Sequence, residues 1–84
     1  MAEKRLVGEV TNYFGKIGVA AIRLTDSVKI GDVIRFEGAT TDFEQEITSM
    51  QIDRAPIEAA ESGQEVAVKV RERVRPGDKV YILS

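Results

Sequence analysis

The chain has 84 residues, a formal net charge of −2 and neither histidine nor cysteine, while 43% of its residues are hydrophobic and 31% are charged. This length supports one hydrophobic core, and the composition is typical of a globular domain. The missing histidine and cysteine exclude disulfides, thiolate or imidazole catalysis and zinc sites built from those ligands. Because the chain lacks the overall basic excess of a non-specific nucleic-acid binder, any contact with RNA has to be local.

No part of the sequence is apolar over the roughly 20 residues that a membrane-spanning helix requires. The longest uncharged apolar run covers only residues 17–22. The first five residues, Met-Ala-Glu-Lys-Arg, are largely charged, and no apolar segment typical of a signal peptide follows them. We therefore expect a single cytoplasmic domain over residues 1–84 that has no contact with a membrane.

The first two strands are predicted to form a hairpin. Residues 5–13 are rich in β-branched and aromatic side chains, which favour extended backbone. Gly8 within this run indicates a bend or a close backbone approach. Residues 14–16 supply turn chemistry, and residues 17–24 follow as a strand in which alternate side chains share one face, namely Ala20, Ile22 and Leu24.

Two segments of the same form lead into later strands. Residues 28–33 and residues 74–80 each contain an apolar residue, a two-residue step, Gly-Asp and the start of a strand. Glycine permits a positive φ, and aspartate can hydrogen-bond to neighbouring backbone. We interpret both segments as strand-entry turns and not as ligand sites, with strands at residues 33–37 and 79–83.

The middle of the chain predicts a long strand and a loop. Residues 43–53 alternate as a strand whose apolar positions change parity midway, which a β-bulge near Ser49 would explain. Residues 54–64 contain a proline near their start and a glycine near their end, so we expect a loop with at most one helical turn. Residues 65–70 form a strand with one apolar face, made of Val66, Val68 and Val70. About six strands at regular spacing predict an all-β sandwich or barrel.

Five short motifs occur in order along almost the whole chain: VGEV at 7–10, GVA at 18–20, VKIGDVI at 28–34, SGQEVAV at 62–68 and VRPGD at 74–78. In this order they resemble the second domain of translational GTPases such as elongation factor Tu and bacterial initiation factor two. The resemblance implies a small Greek-key β-barrel of about six or seven strands, of the translation-protein domain-2 type. The phosphate-binding GxxxxGK(S/T) loop of those enzymes is missing, which excludes GTP hydrolysis by this chain alone.

A similar barrel is attached to the collagenase-like peptidases that work in RNA hydroxylation. Residues 38–50, with Asp42-Phe43-Glu44, resemble that version more closely. Either resemblance implies a non-enzymatic binding module without cofactors that docks RNA or a ribonucleoprotein, with tRNA or ribosomal RNA as the partner. The alternative is a protein-interaction module that acts in trans as the missing barrel of a larger RNA-modifying or translation enzyme, with a protein of that machinery as the partner.

Four cations at alternate positions follow the valine-rich strand. If the valines point inward, the cations lie on or near one outer face, where they can pair with phosphates. A solvated strand face whose charges prevent aggregation explains the same pattern. We predict these residues as nucleic-acid-binding: Lys69, Arg71, Arg73 and Arg75.

The tip of the first hairpin provides a second candidate contact with nucleic acid. Tyr13 and Phe14 stand beside Lys16, a combination that can stack a base next to a phosphate contact. Aromatic residues at a hairpin end also serve to close the mouth of a barrel. Tyr13 and Lys16 are therefore predicted to bind nucleic acid, with closure of the barrel as the alternative.

Three carboxylates alternate on one predicted strand, at Asp42, Glu44 and Glu46. Such a group can bind Mg²⁺ or act as an acid and base pair. Without a histidine, a second cluster or a glycine-rich loop, we expect a solvent-exposed face and neither a metal site nor a catalytic residue. One acidic and one basic face would favour a protein partner or head-to-tail self-association.

Overall fold

A computed structural model describes residues 4–83, and all regular structure within this range is β-strand, as the sequence predicts. No helix among these residues has the length and apolarity needed to cross a membrane. The strands are β1 (Lys4–Phe14), β2 (Val19–Leu24), β3 (Val28–Lys29), β4 (Val33–Glu37), β5 (Asp42–Glu46), β6 (Met50–Ile52), β7 (Ala55–Ile57), β8 (Ala59–Ala60), β9 (Glu65–Lys69) and β10 (Lys79–Leu83).

Eight of the strands form one antiparallel sheet in the order β5-β4-β10-β1-β2-β9-β6-β7, while β3 pairs with β8 in a separate ribbon. Strands β5 and β6 stand far apart in this order, yet only residues 47–49 separate them along the chain. The sheet must therefore curl back on itself, which gives a barrel-like fold.

The core consists of alternate side chains of the curled sheet. The predicted inward faces are confirmed, since Ala20, Ile22 and Leu24 and the three valines at positions 66, 68 and 70 are all buried. Two aromatic rings add a stacked pair, Phe36 and Phe43, with ring centroids 4.9 Å apart.

Residues 4–83 contain ten strands where six or seven were predicted, because β3 is an additional short strand and the chain between β4 and β9 is divided into short pieces. The single strand expected over 43–53 is wrong: the backbone leaves the sheet at residues 47–49. The parity change follows from a change of partner, since β5 pairs with β4 while β6 pairs with β7 and β9, and not from a bulge at Ser49. The predicted loop over 54–64 contains the two short strands β7 and β8 and no helical turn.

Gly8 marks a close approach between two strands, as predicted. The pairing of β1 with β10 shifts register between Leu6 and Gly8. A Cβ atom at Gly8 would lie 2.8 Å from the carbonyl oxygen of Arg23. Only glycine lets β1 and β2 approach this closely.

The two Gly-Asp segments form the same strand-entry turn. The backbone N–H of Asp32 donates to the carbonyl of Lys29 at 3.1 Å, and that of Asp78 donates to the carbonyl of Arg75 at 3.0 Å. In both turns the aspartate carboxylate accepts a hydrogen bond of 2.9 Å from the backbone N–H three residues earlier. The glycine before each aspartate has a φ of 96°, which glycine adopts without strain.

Candidate functional site

The connection between β9 and β10, residues 70–78, carries most of the predicted basic residues. Val70, Val74 and Asp78 in this connection are buried, whereas residues 71–73 and 75–77 are exposed. Lys69 ends β9, and Arg71, Arg73 and Arg75 lie in the connection, as expected from a strand predicted to end at residue 70. They still point outward because the two valines fix the connection to the core.

The tip of the first hairpin lies beside the start of this connection. Val70 donates a backbone hydrogen bond of 2.9 Å to the carbonyl of Gly18, and Val19 pairs with Lys69. Lys16, in the same tip, is thus brought to the end of the barrel where Lys69 and the connection meet. We call five cations the basic end, namely Lys16 and Lys69 at this end and Arg71, Arg73 and Arg75 along the connection that leaves it.

No cation of the basic end forms an ion pair with a carboxylate of residues 4–83. Elsewhere on the surface Lys4, Arg5, Arg35 and Lys79 are each paired with an acidic side chain. Cations on neighbouring segments that have no carboxylate partner create a local positive potential, although the chain as a whole is acidic. The basic end can therefore attract an anionic partner.

Tyr13 and Phe14 have different environments within the hairpin. A register shift between Val10 and Asn12 changes the parity of β1, so that Tyr13 is half-buried and packs against the core. Its position fits closure of the barrel mouth, and its contact with a base stays a prediction. Phe14 and Ile17 are 46% and 66% exposed and form the apolar surface of the tip.

Gln45 joins the two sides of the curled sheet, a role that the sequence analysis missed. Its side-chain amide donates to the carbonyl of Lys69 at 2.7 Å, and its carbonyl oxygen accepts from the backbone N–H of Arg71 at 2.9 Å. The alternation of the strand could have indicated this role. Gln45 shares the inward parity of Phe43 and Ile47, and a polar side chain at an inward position needs a hydrogen-bond partner. A cleft of about 320 Å³ lies along this junction, lined by Gln45, Glu46, Thr48, Lys69, Val70 and Arg71.

The acidic face is organised around Arg35. The guanidinium of Arg35 donates to Glu44 at 2.7 Å and to Glu37 at 2.8 Å, and it also binds Asp42. The hydrogen bond with Glu44 is the largest of the effects that raise the pKa of Arg35 above its ordinary value. Lys4 donates to Glu37 at 2.7 Å and holds the pKa of that carboxyl below its ordinary value. Two of the three predicted carboxylates thus serve ion pairs, and residues 4–83 contain no cluster of three acidic side chains arranged to hold a metal ion.

Two curated proteins match almost the whole chain. An uncharacterized protease, MJ0090, of Methanocaldococcus jannaschii is 44% identical over 79 residues, which cover 93% of this chain and 19% of that protein. A collagenase of Porphyromonas gingivalis is 35% identical over 81 residues, which cover 94% of this chain and 22% of the collagenase. The chain is homologous to one segment of these proteins. It spans about a fifth of their length, and no family model matches it.

A solved structure has the same fold. The C-terminal domain of a putative U32 peptidase from Geobacillus thermoleovorans, in its selenomethionine variant, superposes with a TM-score of 0.86 at 24% identity. The match covers 90% of this chain and 96% of that domain. These relatives support the resemblance to collagenase-like peptidases, whereas the resemblance to elongation factor Tu stays a prediction.

Proposed function

We propose that the chain is a non-catalytic barrel module of an enzyme related to U32 peptidases and collagenases, and that it works with a catalytic part in the same chain or in trans. One observation carries the proposal: the match extends over 93% of this chain but only 19% of its M. jannaschii relative. A unit of that relative size, with the fold of a C-terminal domain, is suited to an accessory role beside a larger catalytic part.

The side chains of the barrel favour binding over catalysis. The chain contains no histidine or cysteine, the residue types that most often act as general base or nucleophile near neutral pH. The carboxylates that come closest to a catalytic arrangement, Asp42 and Glu44, are both held in ion pairs with Arg35. The acid and base chemistry is therefore assigned to the catalytic part.

Calorimetry on a chimera tests the proposal. This chain replaces the homologous segment of the M. jannaschii relative, and the barrel's unfolding midpoint is compared with that of the isolated chain. Contact with the rest of the enzyme stabilises the folded barrel, so we expect a midpoint at least about 4 °C higher in the chimera. An unchanged midpoint would show that the barrel does not contact the rest of the enzyme and would contradict the proposal.

The basic end supports a second candidate function, the docking of RNA. Lys16 and Lys69 lie at the same end of the barrel as the exposed ring of Phe14, so phosphate pairing and base stacking can occur together there. The predicted contacts are Lys16, Lys69, Arg71, Arg73 and Arg75, with Tyr13 at the barrel mouth. RNA bound in this way would be held by the module while the catalytic part acts on it.

Charge reversal tests RNA docking. The double variant Arg71→Glu with Arg73→Glu should weaken binding to tRNA at least about tenfold, and each lost phosphate contact should reduce the slope of log affinity against log salt by about 0.7 to 0.9. Arg54→Glu is the matched control, because Arg54 is an exposed cation outside the basic end. Equal affinity of the double variant and the control would discard RNA docking without affecting the proposed module.

A further inference from the structure

Four apolar side chains form a patch on the outer surface of β1, β10 and β4, and we call it the apolar face: Leu6, Val33, Tyr81 and Leu83. Leu6 is 44% exposed and Val33 is 39% exposed, while Tyr81 and Leu83 are half-buried. In the sheet register Leu6 lies opposite Tyr81, and Leu83 lies opposite Val33. The four side chains therefore lie on the same face of neighbouring strands, where the ammonium of Lys4 lies over the Tyr81 ring at 4.7 Å from its centroid.

The apolar face lies beside the start of β1, where the preceding part of a longer enzyme would join the barrel. Lys4 at the start of β1 pairs with Leu83 at the end of β10, so both ends of the described chain lie at this face. In the Geobacillus protein the matching unit is a C-terminal domain, and the rest of that protein precedes it. A segment that precedes β1 in a longer enzyme would reach the barrel beside Leu83 and Val33.

Charged residues form an acidic rim along one side of the apolar face. Four carboxylates, at positions 37, 42, 44 and 46, stand there with the cation Arg35, and Lys4 of β1 reaches Glu37 over the ring of Tyr81. A hollow of about 600 Å³ between Leu83 and this rim is lined by Lys4, Arg35, Glu37, Glu44 and Leu83. A complementary partner surface would be apolar at its centre and basic opposite this rim.

We propose that the apolar face is the surface through which the barrel docks on the catalytic part of its enzyme, an inference that rests on the proposed function above. The partner surface is apolar, carries lysine or arginine opposite the acidic rim, and belongs to the part of the enzyme that precedes the barrel. Docking here leaves the hairpin tip free. Strand β1 has 11 residues and rises roughly 3.3 Å per residue, so Phe14 lies roughly 30 Å from Lys4.

The chimera with the M. jannaschii relative also tests this inference. The variant Leu6→Lys with Val33→Lys places two charges that cannot be buried without partners into the centre of the apolar face. The matched control is Ile17→Lys, because Ile17 is the more exposed apolar residue and lies at the opposite end of β1. Each variant is measured both in isolation and in the chimera, so that its effect on the barrel's own stability cancels.

The expected result is a loss of the chimera's stabilisation, of at least about 4 °C, in the Leu6 and Val33 variant and full retention in the Ile17 variant. Retention in the Leu6 and Val33 variant with loss in the Ile17 variant would overturn the inference, because the hairpin tip would then be the docking surface while the proposed module stands. Absence of stabilisation in the unmodified chimera would instead overturn the proposed function and this inference together.

Discussion

Gly38 is required because the side chain of Asp78 occupies the space that a Cβ atom would take. The Cβ position at Gly38 would lie 2.0 Å from Oδ1 of Asp78. This carboxylate cannot move freely, because it accepts the backbone N–H of Arg75 in the strand-entry turn. Gly38 thus connects the β4–β5 turn to the turn that precedes β10.

We predict that Gly38→Ala lowers the free energy of unfolding by about 1–3 kcal/mol, the usual cost of overpacking. Denaturant unfolding measures the change. Gly15→Ala is the control, because a Cβ atom there meets only the ring of Tyr13 at 3.4 Å. Equal stability of the two variants would contradict the steric role given to Gly38.

The turn between β6 and β7 contains backbone strain that a substitution can relieve. Asp53 and Arg54 have φ values of 51° and 66°, and Ile52 pairs with Ala55 across this two-residue loop. Such hairpin loops favour Asn-Gly, because residues other than glycine, asparagine and aspartate are poorly tolerated at positive φ.

We predict that Arg54→Gly raises the free energy of unfolding by about 1 kcal/mol. Arg54→Ala separates strain from the loss of the charged side chain, because alanine keeps the Cβ atom and should leave stability close to that of the parent. Thermal unfolding of the three proteins measures both effects. A stabilisation by alanine as large as that by glycine would mean that the guanidinium, and not the backbone, is unfavourable there.

At the scale of the strands, the barrel is closed between β5 and the end of β9 by the side chain of Gln45. Its two hydrogen bonds reach the backbone of Lys69 and Arg71. Gln45→Ala should therefore cost about 1–3 kcal/mol, at about 0.5–1.5 kcal/mol for each hydrogen bond.

Gln45→Glu distinguishes the effect of the hydrogen bonds from that of side-chain packing at the same junction. The variant keeps an acceptor for Arg71 but places a carboxylate against the carbonyl of Lys69, so it should destabilise the barrel at least as much as alanine does. Chemical denaturation of both variants measures this, with hydrogen exchange at the Arg71 amide as a local readout. A glutamate variant as stable as the parent protein would contradict the closure by Gln45.

The ion pair that joins β1 to β4 predicts a dependence of stability on pH. Lys4 lowers the pKa of Glu37 below its ordinary value of 4.5. Because the pKa of Glu37 is lower in the folded protein, the unfolded chain binds the proton more readily. The ion pair therefore stabilises the fold at a pH above the unfolded pKa, and this stabilisation is lost as the pH falls through the folded pKa. The thermal midpoint of the parent protein should exceed that of Glu37→Gln near neutral pH, and this difference should shrink as the pH falls below about 4.5 and vanish below the lowered folded pKa. A difference that grows on acidification would contradict the pairing.

The sequence predicts the long elements well because their side chains alternate. The bounds of β4 and β10 and the buried faces of β2 and β9 agree with the pattern. The division of residues 43–53 was not predictable, because β5 and β6 find different partners far away in the sheet and local alternation does not encode the partner. For Tyr13 the sequence left base contact and closure of the barrel mouth both open, since the inward position depends on a register shift within β1.

At the scale of the whole molecule, the two candidate surfaces lie near opposite ends of β1. The basic end begins at the hairpin tip after Phe14, while the apolar face with its acidic rim begins beside Lys4. This separation allows one surface to contact the enzyme and the other to contact an anionic substrate at the same time. The net charge of −2 does not reveal this arrangement, because it sums acidic and basic side chains that are separated in space.

Functional replacement in the P. gingivalis collagenase tests the central claim most directly. The segment homologous to this chain is deleted, or replaced either by this chain or by an unrelated β-barrel of similar size, and cleavage of collagen is measured. We predict that deletion lowers the activity and that this chain restores it, whereas the unrelated barrel does not. Equal activity with the unrelated barrel, or no restoration by this chain in a folded chimera, would contradict its assignment as the barrel module of such an enzyme.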